Sequence, residues 1–219
     1  MEKPQASSVV ITPPKFKTAS FTIQGQSPLV IHAFSEKARN MMADIITSGT
    51  AGKNRKKRGA RDFKADFEAA RYREPEQGWD GINAASFRNA MISACRVAGY
   101  VMSKAKLSVF CEADGFSQDG TPLVKITKGK PMMHVGHGRN SNWSVDLRAR
   151  PMWSPGWEAI VRIRFDEDQF QLQDVANLLA RVGSQVGIGE GRADSKESAG
   201  CGWGFFSLKE GASESRKSA

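Results

Sequence analysis

The chain has 219 residues, 40% of them apolar and 25% charged, which is enough for one domain with a real hydrophobic core. Its 32 Lys and Arg outnumber 23 Asp and Glu, and the net charge of +9 favours a polyanionic partner such as nucleic acid. Three scattered cysteines, Cys95, Cys111 and Cys201, exclude a disulfide framework and a zinc knuckle; with no long apolar run for a leader or membrane span, the expected setting is cytoplasmic.

Residues 1–14, with three prolines, predict a flexible arm, and residues 210–219 a flexible tail around one domain over 15–209. "KFKTASFTIQ" alternates as a first strand, "GQSP" breaks it, and "LVIHAF" follows as a short apolar run. Ser35 is placed to cap a helix over "EKARNMMADIIT", with Met41, Met42, Ile45 and Ile46 on one face. Apolar content then falls. Six basic residues fill positions 53–61, and the stretch 48–78 predicts a basic surface insertion.

Asn83 is the expected cap of the next helix, with Phe87, Met91, Ala94, Cys95 and Ala98 as its buried stripe and Gly99 as its stop. "KLSVFCEA" predicts a strand, and the turn-rich stretch from 115 to 139 a loop or hairpin. "WSVDLRARPMW" and "EAIVRIRFD" predict neighbouring strands. In the second, Ala159, Val161, Ile163 and Phe165 point one way and Arg162 and Arg164 the other. Asp166 or Asp168 is placed to cap a helix over "FQLQDVANLLARVG", and "CGWGFFSLK" closes as a last strand. Two strand–helix units in this order predict an α+β fold, a ferredoxin/RRM-like antiparallel sheet with helices on one face.

The feature with the sharpest chemical question is "GSQVGIGEGRADSKESAGCGWGFF", whose glycines fall at 187, 189 and 191 and again at 200, 202 and 204. A dinucleotide fingerprint needs GxGxxG opening a helix, whereas this ladder follows one and reads GxGxG. No Walker pattern is present, so no nucleotide cofactor is expected. The remaining reading is a backbone that needs positive φ or lets another chain come close. His134 and His137, as "HVGH", lack a third ligand nearby, and no metal is expected. Cys111 and Cys201 read as buried small hydrophobes.

"GIGEGRADSKESAGCGWGFFSL" resembles the C-terminal glycine-rich loop and strand of the RAMP superfamily, the RRM-fold proteins that form backbone and processing subunits of CRISPR effector complexes. "FTIQGQSPLVIHAFSEK" is similar to the family's opening strand and loop, and "WDGINAASFRNAMISACR" to the segment that starts its basic, RNA-facing helix. The resemblance implies single-stranded nucleic acid, RNA ahead of DNA, held along the sheet and its loops. The implied partners are further copies or other subunits of a ribonucleoprotein; a relative carried by a phage or mobile element fits the same motifs.

The residues suited to that role are named independently of it. Lys53, Arg55, Lys56, Lys57, Arg58 and Arg61 would neutralise phosphates and give salt-dependent affinity. Ser86 and Arg88 lie near a helix start, where free N–H groups favour an anion, with Arg96 two turns on. Gly187, Gly189 and Gly191 would admit a polymer backbone, with Arg192 and Lys196 as the contacting side chains. Trp143, Trp153 and Trp157 invite a base-stacking reading, although large aromatics more often fill cores.

Two alternatives belong to other classes. RAMP processing enzymes use a His near the end of the first strand as a metal-independent acid or base, and His32 occupies about that place. The second alternative is a phage or plasmid accessory that coats single-stranded DNA.

Overall fold

Alternation of apolar and polar side chains makes the longest strand, β1 (Phe16–Gly25): Ala19, Phe21 and Ile23 are buried, and Thr18, Ser20 and Thr22 lie on the more open face. It pairs antiparallel with β9 (Glu158–Asp166) over its whole described register, from Phe16 opposite Asp166 to Gln24 opposite Glu158. This computed structural model describes residues 12–33, 40, 43–44, 46–47, 61–139, 145–194, 200–209 and 214–216.

The remaining strands and helices are, in chain order, β2 (Leu29–Val30), α1 (Phe63–Ala69), β3 (Gly81–Asn83), α2 (Ala84–Val97), α3 (Met102–Ser108) and β4 (Val109–Glu112). They continue with β5 (Gly115–Phe116), β6 (Pro122–Lys128), β7 (Met132–Arg139), β8 (Val145–Trp153), α4 (Leu172–Arg181), β10 (Phe206–Leu208) and β11 (Glu214–Arg216). β10 pairs β1 and β4 pairs β9, so β1–α2–β4–β9–α4–β10 is a βαββαβ unit with spatial order β10-β1-β9-β4. That is the ferredoxin/RRM-like arrangement expected from the sequence. β6, β3, β5 and β11 extend this sheet, and β2, β8 and β7 form a separate three-stranded one.

Both helices of the unit cover the same face. Phe87, Met91, Ala94 and Cys95 of α2 and Val175, Leu178 and Leu179 of α4 pack with Phe21, Val161, Ile163 and Phe206 into one core. Each of the Val, Leu, Ile, Met and Phe side chains among them stabilises the fold by roughly 1.5–3 kcal/mol. Asn83 caps α2 as expected, its side chain accepting from the Ala85 N–H at 2.9 Å. Ala98 is not in the buried stripe; it is the exposed C-cap.

Several expectations are corrected. "KLSVFCEA" is a strand only from Val109, because Met102–Ser108 forms a helix that buries Ala105 and Ser108. The stretch 115–139 is mostly strand: β5 and β6 form a short hairpin, as expected, whereas its two long strands, β6 and β7, join different sheets rather than each other. β8 and β9 also part company: β8 pairs β7 and β2, whereas β9 pairs β1, β4 and β6. Asp166 caps the turn before α4, accepting from the Asp168 N–H. The helix itself starts at a capping box between Gln171 and Asp174. Cys201 is exposed, not buried, and Cys111 is half-buried against the core. Trp153 and Trp157 are core, 1% and 0% exposed. Trp143 lies outside the described residues, as do most of the helix predicted after Ser35 and residues 48–60; the end of the 48–78 stretch carries α1. Among the described residues no helix is long and apolar enough to cross a membrane.

Candidate nucleic-acid interface

α4 ends in a π-helical turn, Val182–Val186, and the chain then turns back across β2. The Glu190 N–H donates to the Val30 carbonyl at 2.9 Å, the Ile188 N–H to Gly204 at 3.1 Å, and the Gly204 N–H to Pro28 at 2.7 Å. The tightest approaches to backbone at positive φ are at two glycines. A Cβ on Gly189, at φ +76°, would sit 2.4 Å from the Val30 oxygen, and one on Gly204, at φ +75°, 1.8 Å from the Ile188 oxygen. The close approach these two glycines permit is therefore of the chain to itself. Gly187 and Gly191 also hold positive φ and lie against Trp203.

This folded-back loop faces one polar stripe on α2. Ser86, Asn89, Ala90 and Ser93 line one wall of a cleft of about 130 Å³, and Val186, Ile188, Gly189, Arg192 and Asp194 line the other. Ser86, Gly189 and Arg192, far apart in sequence, thus share one cleft. Arg192 donates to the Gly189 carbonyl at 3.1 Å, which fixes its stem against the loop. Arg96 stands a turn further along α2, 60% exposed, and reaches Asp194 at 3.2 Å.

The other expected contacts are placed differently. Arg88 donates to the Val109 carbonyl at 3.2 Å and to the Lys106 carbonyl, with its guanidinium 5.2 Å from the Phe110 ring centre. It ties α2 to β4. Arg61 bridges Asp66 and Asp146, joining the start of α1 to β8. Lys53, Arg55, Lys56, Lys57, Arg58 and Lys196 lie outside the described residues.

Beside the cleft is a charged cluster that the sequence reading largely missed. His32 Nδ1 lies 3.1 Å from one oxygen of Glu190, and Arg150 Nη1 donates to the other. Burial alone would raise the Glu190 pKa, but the hydrogen bonds and charges of His32 and Arg150 prevail and hold it at about 2. Arg150 is itself 5% exposed. His134, opposite Arg150 across the β7–β8 pair, packs edge-on against Trp203 with ring centres 5.5 Å apart. Burial, then the Arg150 charge, lowers its pKa. His134 and His137 fall on opposite faces of β7, as their odd spacing in a strand requires.

Asn89, Ser93 and Glu190 had a readable signal. Ser86, Asn89 and Ser93 recur at helical spacing on one side of α2, and Glu190 is the acid between two ladder glycines. Arg150 had none, because β8 gives no hint of which loop will lie over it.

No protein-family model matches the chain, and no curated protein matches it. Among solved structures it is similar to a chain in the cryo-EM structure of the Type III-B Cmr-beta bound to cognate target RNA. The identity is 13% and the TM-score 0.52, over 94% of this chain and 62% of that one, so this protein spans under two thirds of its neighbour's length. At that identity the likeness establishes a shared α+β fold.

Proposed function

We propose that this protein binds single-stranded RNA and acts as a RAMP-type, backbone-like subunit of a ribonucleoprotein such as a CRISPR effector complex. One observation carries the reading: the folded-back glycine loop and the polar stripe of α2 bring Ser86, Gly189 and Arg192 into one cleft, with Arg96 at its rim. Hydroxyl, amide and guanidinium donors in a row suit a phosphodiester backbone and carry no base preference. The net charge of +9 and the basic tract from Lys53 to Arg58 add long-range attraction. The similar chain is found in a structure that contains target RNA, which supports the same partner class.

The test is fluorescence anisotropy with a labelled single-stranded RNA, and DNA of the same sequence, across a salt series. Affinity should fall steeply with salt. Changing Lys56, Lys57 and Arg58 to Ala should flatten the log–log slope by about 2, from about 0.7 per phosphate contact. Arg192→Ala should flatten it by about 0.7. Slopes unchanged in both variants would remove the cleft and tract as the binding surface. Tighter binding of the DNA would turn the reading toward a strand-coating accessory.

A second reading rests on the His32–Glu190 contact. Glu190 holds His32 through Nδ1 and leaves Nε2 available as an acid or base, as a metal-independent endoribonuclease requires. It predicts cleavage of labelled RNA in EDTA that is lost in His32→Ala; intact RNA with the unaltered protein ends that reading.

A further inference from the structure

We propose that Arg150 and His32 form a seat for one phosphate of the bound strand, and that the side chain of Glu190 fills this seat in the free protein. This rests on the RNA-binding reading above. The first argument is donor arithmetic. A guanidinium carries five N–H donors and is costly to bury unless they are met. Arg150 is 5% exposed, gives Nη1 to Glu190, and has a buried Nε with no hydrogen-bond partner. A carboxylate has two oxygens, and Glu190 spends one on Arg150 and the other on His32. A phosphate has more oxygens in a tetrahedral array, so from Glu190's place it can meet the Nη end of the guanidinium and the imidazole together with oxygens to spare.

The second argument is position. Glu190 follows Gly189, which lines the cleft with Ser86 and Arg192, so the seat continues the proposed phosphate track. The third is mobility. The Glu190 backbone is pinned to Val30, and Gly189 is packed against the same carbonyl. Only the side chain has to swing away, and 29% of it is already exposed. Removing it leaves a nearly buried positive charge without its carboxylate, which is the condition under which an anion binds tightly.

The test compares the unaltered protein, Glu190→Gln and the double variant Glu190→Gln/Arg150→Met with labelled single-stranded RNA. Glu190→Gln should bind about tenfold tighter, with a log–log salt slope steeper by about 0.7, one phosphate more. The double variant should lose both gains. A folded Glu190→Gln that binds no tighter, with an unchanged slope, overturns the proposal and leaves Glu190 as a buttress of the loop. RNA carrying a 5′-phosphate is compared with RNA carrying a 5′-hydroxyl; a larger gain for the first assigns the seat to a strand end, and equal gains assign it to an internal phosphate.

If none of the proteins binds RNA, the RNA reading fails, and inorganic phosphate decides the seat on its own. Phosphate, against chloride at matched ionic strength, should raise the melting temperature of Glu190→Gln and leave the unaltered protein and the double variant unmoved. No shift overturns the seat. Should Glu190→Gln fail to fold in chloride, refolding in phosphate supports the proposal, and failure in both buffers overturns it.

Discussion

Arg150 and Arg164 stand on consecutive strands, β8 and β9, both on polar positions of an alternating pattern, and they meet opposite fates. Arg164 lies on the open face of the large sheet, exposed, with its guanidinium 4.9 Å from the Phe16 ring centre and 5.0 Å from that of Phe110. Arg150 is covered. The glycine loop lies over its face of the small sheet, bringing Glu190 to its guanidinium and Trp203 to its neighbour His134. Alternation fixes which side of a strand a residue takes, and a distant loop decides whether that side meets water. The energetic consequence is large. A surface cation over aromatic rings stabilises by roughly 0.5–1 kcal/mol, whereas breaking a buried ion pair costs roughly 3–5 kcal/mol.

That contrast can be broken most directly at Arg150. Arg150→Met strands Glu190 with His32 alone and should cost about 3 kcal/mol, the low end because Glu190 is 29% exposed. A calorimetric melt near neutral pH should show a fall of roughly 6–12 °C for a chain of this size. A fall no larger than that of an Arg164 variant would erase the distinction between the two arginines.

The next effect is read against pH. The Glu190 pKa in the folded protein, about 2, is below the ordinary carboxylate value of 4.5, so its contribution is fully present above 4.5 and is lost as pH falls toward 2. The unaltered protein should therefore exceed Glu190→Gln in stability by on the order of 3 kcal/mol at neutral pH, and the two should converge near pH 2. A gap that persists undiminished at acid pH would show that Glu190 stabilises by packing and not by charge. The smallest effect belongs to Arg164. Arg164→Ala should cost about 1 kcal/mol, a fall of roughly 2–4 °C, and more than twice that would mean its rings are better shielded than their open face implies.

Much of the fold was legible because its signals are local. Asn83 before Phe87, Met91, Ala94 and Cys95 marks a capped amphipathic helix whatever surrounds it. The alternation of Ala159 to Phe165 against Arg162 and Arg164 marks a strand with one covered face. Pairing was not legible. β8 and β9 are separated only by a short turn and read as neighbours, yet β9 finds β1 and β8 finds β7, because strand partners are chosen by the core they complete. Residues 102–108 hold Ser, Lys, Ala and Leu without a breaker, and docking against α2 settles them as helix.

The candidate site divides in the same way. The ladder of glycines announced backbone strain and close approach by its composition, and Ser86 and Arg192 announced donors by theirs. What the ladder approaches is the protein's own β2 and the other half of the ladder itself, and only the folded chain could show this. The sequence by itself determined the α+β class, the faces of the two central helices and the net positive charge, since these follow from propensity, periodicity and counting. Tertiary structure alone decided that Arg150 is buried, that Glu190 lies between it and His32, and that Ser86 faces Arg192. Each of these contacts joins residues far apart in sequence, and the energy of burying them is defined only once the loop has closed over the sheet.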